Sequence, residues 1–232
     1  MPREWIRATR GVCVALAVLW GASCAVAPTP LPDAPDNDAW RDLFNGRDLA
    51  GWTVQPPDAW YVTDDGLLTR RGVPRANLWT VERFGDFVLD LEFKIAPEAN
   101  SGVFVRTDHP KDFVQTGIEV QVLDSFGKPA LDKHDCGAIY DALEPTHNAL
   151  RAPGLWNRYV ITCRGPRIQV DLNGVRIIEI NLDRWDTPHR NPDGTANKFR
   201  TALCDMPREG HIGLQEHNGA VWYRNIRLKR LD

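Results

Sequence analysis

Hydrophobic and polar positions alternate along most of this chain. In GIEVQVLD (117–124), Ile118, Val120 and Val122 fall on one side, Glu119 and Gln121 on the other. Successive side chains on a strand point to opposite faces, so the spacing predicts one strand with an apolar and a polar side. FGDFVLDLEFKI (84–95) likewise sets Phe87, Leu89, Leu91 and Phe93 against Val88, Asp90, Glu92 and Lys94. SGVFVRT (101–107), LWNRYVITCRG (155–165), GHIGLQEHNG (210–219) and VWYRNIRLKRL (221–231) read as further strands. Two hairpins are marked by their turns, Asp65-Gly66 within 60–70 and Asn173-Gly174 within 167–182. Such dipeptides accept the positive φ that a tight hairpin turn needs. No segment keeps a 3.6-residue apolar period, so helices are expected to be short or absent. About ten to twelve short strands separated by Gly, Pro, Asn and Asp predict an all-β protein, an antiparallel β-sandwich or barrel.

The pattern breaks in three places. Segments 125–154 and 183–208 are rich in Pro, Asp, His and Gly and show no strand alternation. Loops of that length in a compact domain are usually functional or disordered. The third break is the N-terminus. Arg3, Arg7 and Arg10 precede an apolar stretch, Gly11 to Trp20, which is too short to span a bilayer and reads as an export signal. Gly-Ala-Ser-Cys at 21–24 resembles a bacterial lipoprotein box with Cys24 as the lipidated residue, although Gly21 stands where Leu is usual. Ordinary cleavage near Ser23-Cys24-Ala25, leaving a secreted protein, is the alternative; both readings export the chain. The expected organisation is therefore a signal peptide at 1–24, a Pro-rich linker at 25–39 and a single domain at 40–232. A lipid on Cys24 would be the sole attachment to a membrane.

Composition narrows the function classes. The 232 residues are 43% hydrophobic and 25% charged with a net charge of −3, so nothing marks a nucleic-acid-binding surface. Nine Trp are more than usual and suit both a core and the stacking of sugar rings. Beyond the signal, Cys136, Cys163 and Cys204 show no zinc-site spacing; buried thiols or one disulfide are both open. No nucleophile elbow, phosphate-binding loop or dinucleotide fingerprint occurs, which disfavours serine hydrolases and nucleotide enzymes.

What remains is the polar faces of the strands. Glu119 shares a face with Gln121; Arg106 ends SGVFVRT on the side of Gly102 and Phe104; Gln215 shares a face with His217. Amides and a carboxylate match hydroxyl groups that both donate and accept, while Arg and His can steady a developing oxyanion. A merely solvated sheet face also alternates in this way, but it favours Lys, Glu, Thr and Ser over Gln, His and Arg beside Gly. Asp132, His134 and Asp135 in LDKHDCG are either a metal site or solvated charges.

Taken in order, LFNGRDLAGW (43–52), NSGVFVR (100–106), GIEVQVLD, GLWNRYVI (154–161), the LNG turn (172–174), GHIGLQEH (210–217) and VWYRNIRLKRL resemble the bacterial 3-keto-disaccharide hydrolase domain family. The motifs cover residues 40–232. The resemblance implies a concanavalin A-like jelly roll with carbohydrate on one sheet, export, and action on glycosides oxidised at C3. Carried over by position, it implies site residues Arg106, Glu119, Gln121, Gln215 and His217, with Trp156 and Asn157 beside them. Asn218 before Gly219 departs from the family pattern, and 125–154 aligns poorly, which leaves substrate specificity open.

A C3 ketone acidifies the C2 proton, so a base can form an enolate, the C1 substituent can leave, and water can add afterwards. His217 or Glu119 is the expected base, and Arg106 or a divalent cation the electrophile. Such a cation would use Glu119 and a His. Two other readings stand beside this one: a non-catalytic carbohydrate-binding domain, and a glucanase with two acids on one strand, for which Gln121 occupies the second acid's place.

Overall fold

The computed structural model describes residues 39–231. The export signal, Cys24 and all but the last residue of the linker lie outside the described residues. Within them the chain forms β1 (Arg41–Asp42), β2 (Trp52–Thr53), β3 (Trp60–Val62), β4 (Leu68–Arg70), β5 (Leu78–Phe84), β6 (Phe87–Ile95), β7 (Asn100–Thr107), β8 (Ile118–Leu123), β9 (Asn157–Arg164), β10 (Arg167–Leu172), β11 (Val175–Asn181), β12 (Gly210–Leu214) and β13 (Val221–Arg230). One helical turn, α1 (Phe113–Thr116), and three short 3₁₀ turns complete the regular structure. The all-β expectation holds, and so does the expectation of short helices.

The strands form two antiparallel sheets. The larger runs β11-β10-β9-β6-β13-β4-β3 with β1 added along β13; the smaller runs β2-β5-β12-β7-β8. Period-two patterning decides which faces meet. Phe87, Leu89, Leu91 and Phe93 of β6 are fully buried, as are Val103 and Val105 of β7 and Val120 and Val122 of β8. All belong to one apolar cluster shared by both sheets. The result is the antiparallel sandwich of the jelly-roll class, its core between the sheets. Both expected hairpins form: β3 pairs with β4 across the Asp65-Gly66 turn, and β10 with β11 across Asn173 and Gly174, both at positive φ.

Cys136, Cys163 and Cys204 are all free, so the disulfide alternative is not realised. Burial pushes the Cys136 thiol up to about 11 and Cys163 up to about 12, which keeps both protonated and inert at neutral pH.

Candidate functional site

The outer face of the five-stranded sheet carries the residues whose alternation is opposite to the core set. On β8 these are Glu119 and Gln121; on β7, Gly102 and Phe104, paired in register with Gln121 and Glu119 respectively. On β12, Gly213 lies opposite Phe104 of β7 and Trp79 of β5. The two strand glycines are required by close approach. A Cβ at Gly102 would collide with Glu119 Oε1, and one at Gly213 with the Trp79 ring. Trp79, Phe104 and Phe113 of α1 pack with centroids 5.1–5.9 Å apart, making an aromatic floor on this face. β12 ends at Leu214, yet its backbone continues along β7, Gln215 N–H donating to Gly102 O at 2.9 Å and Asn100 N–H to Asn218 O at 2.9 Å. That run delivers Gln215 and His217 to the same face.

The two patternless loops cover it. Residues 137–140 run along the free edge of β8: Gly137 N–H donates to Gln121 O, Gln121 N–H to Ala138 O and Tyr140 N–H to Glu119 O, at 2.8–3.0 Å. This pairing seals the edge and brings Tyr140 over Glu119. From the other loop comes Lys198, whose N–H donates to Asp141 Oδ2 at 2.6 Å. Its ammonium Nζ lies 3.9 Å from Glu119 Oε2 and 3.9 Å from the Tyr140 ring centroid. The cleft so formed has a volume of about 470 Å³. Glu119, Gln121, Tyr140, Lys198, Gln215 and His217 line it, with Phe113 and Val114 along one wall.

Electrostatically the cleft centres on Glu119, which is 5% exposed. Burial raises its carboxyl from 4.5 to about 7, against the opposing pull of the Lys198 ammonium and the Gln215 amide. Burial likewise lowers Lys198, while Glu119 and Asp141 hold it up. Tyr140 is raised by burial and then by the Glu119 charge. Glu119 Oε1, Gln121 Oε1 and Gln215 Oε1 are buried and have no hydrogen-bond partner among the described residues. Three unmatched acceptors around one cleft call for a ligand rich in donors, and sugar hydroxyls are such donors. A carboxyl near neutrality beside an ammonium can take up and return a proton at physiological pH.

Of the residues singled out from the sequence, Glu119, Gln121, Gln215 and His217 come together here. His217 stands at the exposed rim, its Nδ1 2.7 Å from Asn218 Oδ1. Arg106 does not join them. Simple alternation assigns it to the side of Gly102 and Phe104, but two residues of β7 oppose the single Ile212 between Phe104↔Gly213 and Thr107↔His211. This bulge puts Arg106 at φ +53° and turns its side chain away. Its side chain is 1% exposed and all three guanidinium nitrogens are engaged: they donate to Gly85 O, Gly165 O and Asp86 Oδ1 at 2.7–2.9 Å, pinning the turn from β5 to β6 and the turn from β9 to β10. Trp156 and Asn157 also lie elsewhere. Trp156 precedes β9 in the larger sheet and is covered by Arg224 and Lys94. Asn157 is buried, its Oδ1 accepting from Arg151 N–H and Asn173 Nδ2.

In LDKHDCG, Asp132 and Asp135 both hold Lys128, at 2.8 and 2.7 Å, and His134 contacts Asp132 and Asp141. Among the described residues no group of three or more His, Cys, Asp and Glu side chains is arranged to hold a metal ion. Glu216, beside Gln215, is no second catalytic acid: it is 6% exposed, paired with buried Arg70, and accepts Arg75 N–H at 3.1 Å.

Lys198 and Tyr140 are the residues that sequence reasoning missed. Neither sits in a patterned element, and the only signal near them was the unusual length of their loops.

Fold and cleft together define a β-sandwich protein that presents a polar cleft with unmatched acceptors on the outer face of one sheet. More narrowly, residues 39–229 match the 3-keto-alpha-glucoside-1,2-lyase-like domain, and the chain belongs to that family. A 3-keto-disaccharide hydrolase of Bacteroides thetaiotaomicron is 25% identical over 233 residues, covering 85% of this chain and 80% of that protein. A crystal structure from Parabacteroides distasonis, described as a candidate glycosyl hydrolase, is 32% identical with a TM-score of 0.76, covering 84% of this chain and 100% of the other. A second structure from that organism, 24% identical with a TM-score of 0.68 over 83% and 94% of the two chains, shares the fold.

Proposed function

We propose that the protein cleaves glycosides already oxidised to a ketone at C3, with Glu119 as the base that removes the C2 proton. The observation that carries this reading is the Glu119 carboxyl itself, buried, poised at about 7 and with one oxygen unmatched. The family, and the activity for which the Bacteroides relative is named, point to the same substrate class.

The C3 carbonyl draws electron density from C2, so transfer of the C2 proton to Glu119 leaves an enolate with its negative charge on the C3 oxygen. Lys198 takes the electrophilic role that the sequence assigned to Arg106, its ammonium lying 3.9 Å from the carboxylate and opposing that charge. Expulsion of the C1 oxygen substituent then forms the C1–C2 double bond. The departing alkoxide takes a proton from His217 or from water at the open rim. Water adding to C1, with Glu119 returning the proton to C2, completes a net hydrolysis. Gln121 and Gln215 offer acceptor oxygens to the hydroxyls of the bound sugar. Glu119 and His217, the pair a cation would share, belong to no group of three or more His, Cys, Asp and Glu side chains arranged to hold a metal ion among the described residues, and the steps above use this chain's own groups. Export, and a lipid anchor on Cys24, belong to the proposal as well; they are supported by the N-terminal pattern and tested by loss of membrane association in Cys24→Ala.

The deciding experiment follows p-nitrophenol release from p-nitrophenyl 3-keto-glucoside, with deuterium at C2 tracked in parallel. Wild-type protein should release the phenol and wash out the deuterium, and Glu119→Gln should lose both. Binding without turnover, with or without added divalent cations, would make this a carbohydrate-binding protein. Full activity in Glu119→Gln would remove Glu119 from the chemistry.

A further inference from the structure

The Glu119 cleft does not end at its own wall. Beyond Phe113 and Val114 lies a second hollow of about 560 Å³, which shares Arg75, Phe113 and Val114 with the first. Its far side is formed by Thr53 of the β2 edge, by Val54 just beyond it and by Lys111, and its floor by Trp79 and Asn77. Both volumes fall in the range of small-molecule sites. Glu119, Lys198 and the two glutamines all line the first hollow, so the chemistry proposed above leaves the second without a role.

Asn77 is the informative residue there. It is 4% exposed, and its Oδ1 accepts Glu216 N–H at 2.9 Å, which fixes the orientation of the amide. Its Nδ2 then has no partner among the described residues. A buried amide nitrogen without an acceptor is costly, and among groups lining a hollow it marks where a ligand oxygen completes the bonding. The charged side chains lining this hollow are Arg75 and Lys111, both cationic and both exposed, so nothing there repels the electron-rich oxygens of a sugar. The Glu216 N–H that holds Asn77 belongs to the residue between Gln215 and His217, so the same short run of backbone ties the two hollows together.

We infer that this second hollow is the leaving-group subsite: it holds the hexose on the far side of the scissile bond, with Asn77 Nδ2 donating to one of its hydroxyl or ring oxygens. The inference rests on the function proposed above and deepens it. The oxidised sugar sits over Glu119, the glycosidic oxygen passes the Phe113–Val114 wall, and the departing sugar rests against Asn77 and the edge of Trp79. Disaccharides should therefore be preferred over glycosides with small leaving groups.

The test compares kcat/KM for a 3-keto-glucosyl disaccharide with that for methyl 3-keto-glucoside, in wild type, Asn77→Asp and Thr53→Trp. The aspartate keeps the oxygen that accepts Glu216 N–H and removes the donors. Thr53 is an exposed position on the edge strand, so a tryptophan there fills the hollow without entering the core. In each variant the disaccharide-to-methyl ratio should fall about tenfold, the size of one well-placed hydrogen bond or contact. A ratio unchanged in both variants overturns the subsite. Should wild type turn over neither substrate, the proposed activity fails separately. Calorimetric binding of the unoxidised disaccharide then decides the subsite: affinity weakened about tenfold by both variants supports it, and affinity unaltered by either overturns it.

Discussion

Glu119→Gln should gain stability relative to wild type as the pH rises, and only above about pH 4.5. A carboxyl near 4.5 in the unfolded chain and about 7 in the folded one is neutral in both states below about pH 4.5 and contributes no difference there. As pH rises through 4.5 the unfolded chain releases its proton while the folded protein retains it. Folding stability therefore falls until the pH passes about 7, where both states are ionised. The interval from 4.5 to about 7 spans about 2.5 pH units, and at about 1.4 kcal/mol for each the buried charge costs about 3 kcal/mol at pH 8. Glutamine does not ionise and escapes this cost. Its buried amide brings a fixed energy of its own, so the diagnostic quantity is how the difference between variant and wild type changes with pH. Denaturant unfolding at pH 4.5 and pH 8 should show the variant gaining about 3 kcal/mol relative to wild type between the two. At about 2–4 °C per kcal/mol for a domain of this size, its Tm advantage should widen by about 6–12 °C. A difference that is flat with pH, or that shrinks towards pH 8, would refute the reasoning, because Glu119 would then not be held protonated by its surroundings.

Lys198→Met removes a charge that at 3.9 Å and an effective dielectric constant near 20 interacts with Glu119 by about 4 kcal/mol before solvent relaxation. The acid limb of kcat/KM should move up from about pH 7 by about one unit or more, and a limb that stays in place would exclude Lys198 as the partner of the base. Gln121→Glu sets a second carboxylate two residues from the first on the same strand face, so like-charge repulsion should also move the limb upwards. That variant should gain no activity on unoxidised glucosides, and any such gain would revive the paired-acid reading. Arg106→Leu should cost about 2–4 kcal/mol in denaturant, since Asp86 loses its buried cation and two turn carbonyls lose a donor. The kcat/KM of the folded fraction should stay within about twofold; a large loss of kcat/KM with stability intact would return Arg106 to the chemistry.

The sandwich was legible because its strands keep one face in a dry core, and alternation then fixes what the other face carries. Ile118, Val120 and Val122 against Glu119 and Gln121 state the result in five residues, and the strand supports that reading at each of them. The same logic failed at Arg106, where the bulge opposite Ile212 adds a residue and breaks the period that alternation assumes. Trp156 and Asn157 entered through family resemblance alone, and no pattern within β9 says to which sheet it belongs. Lys198 stands 79 positions from Glu119 in a segment without period, so only the tertiary path of the loop brings ammonium to carboxylate. Gly102 and Gly213 carry a further signal in the sequence. A glycine inside a well-formed strand pattern announces that something must come close, and here it is Glu119 in one case and Trp79 in the other.

That close approach explains why the polar face of β8 carries one carboxylate and not two; Glu216, which also lines the cleft, is held by Arg70 and Arg75 N–H. Gly102 leaves room for Glu119 to lie flat across β7, and the 137–140 segment and Tyr140 close over it, so water cannot reach the carboxyl freely. Burial of this kind raises a lone carboxyl, and a second one two residues away would raise it further, leaving too little of the base form at neutral pH. The amide of Gln121 keeps the hydroxyl-binding capacity of that position without adding charge. Lys198 supplies the opposite correction, holding Glu119 near 7 against the full effect of burial. A glycosidase that protonates its leaving group directly needs two acids with separated roles. A site that labilises a proton next to a ketone needs one base close to neutrality and a cation beside it, and under the reaction proposed above Gln121 and Lys198 are the two residues that favour the second chemistry over the first.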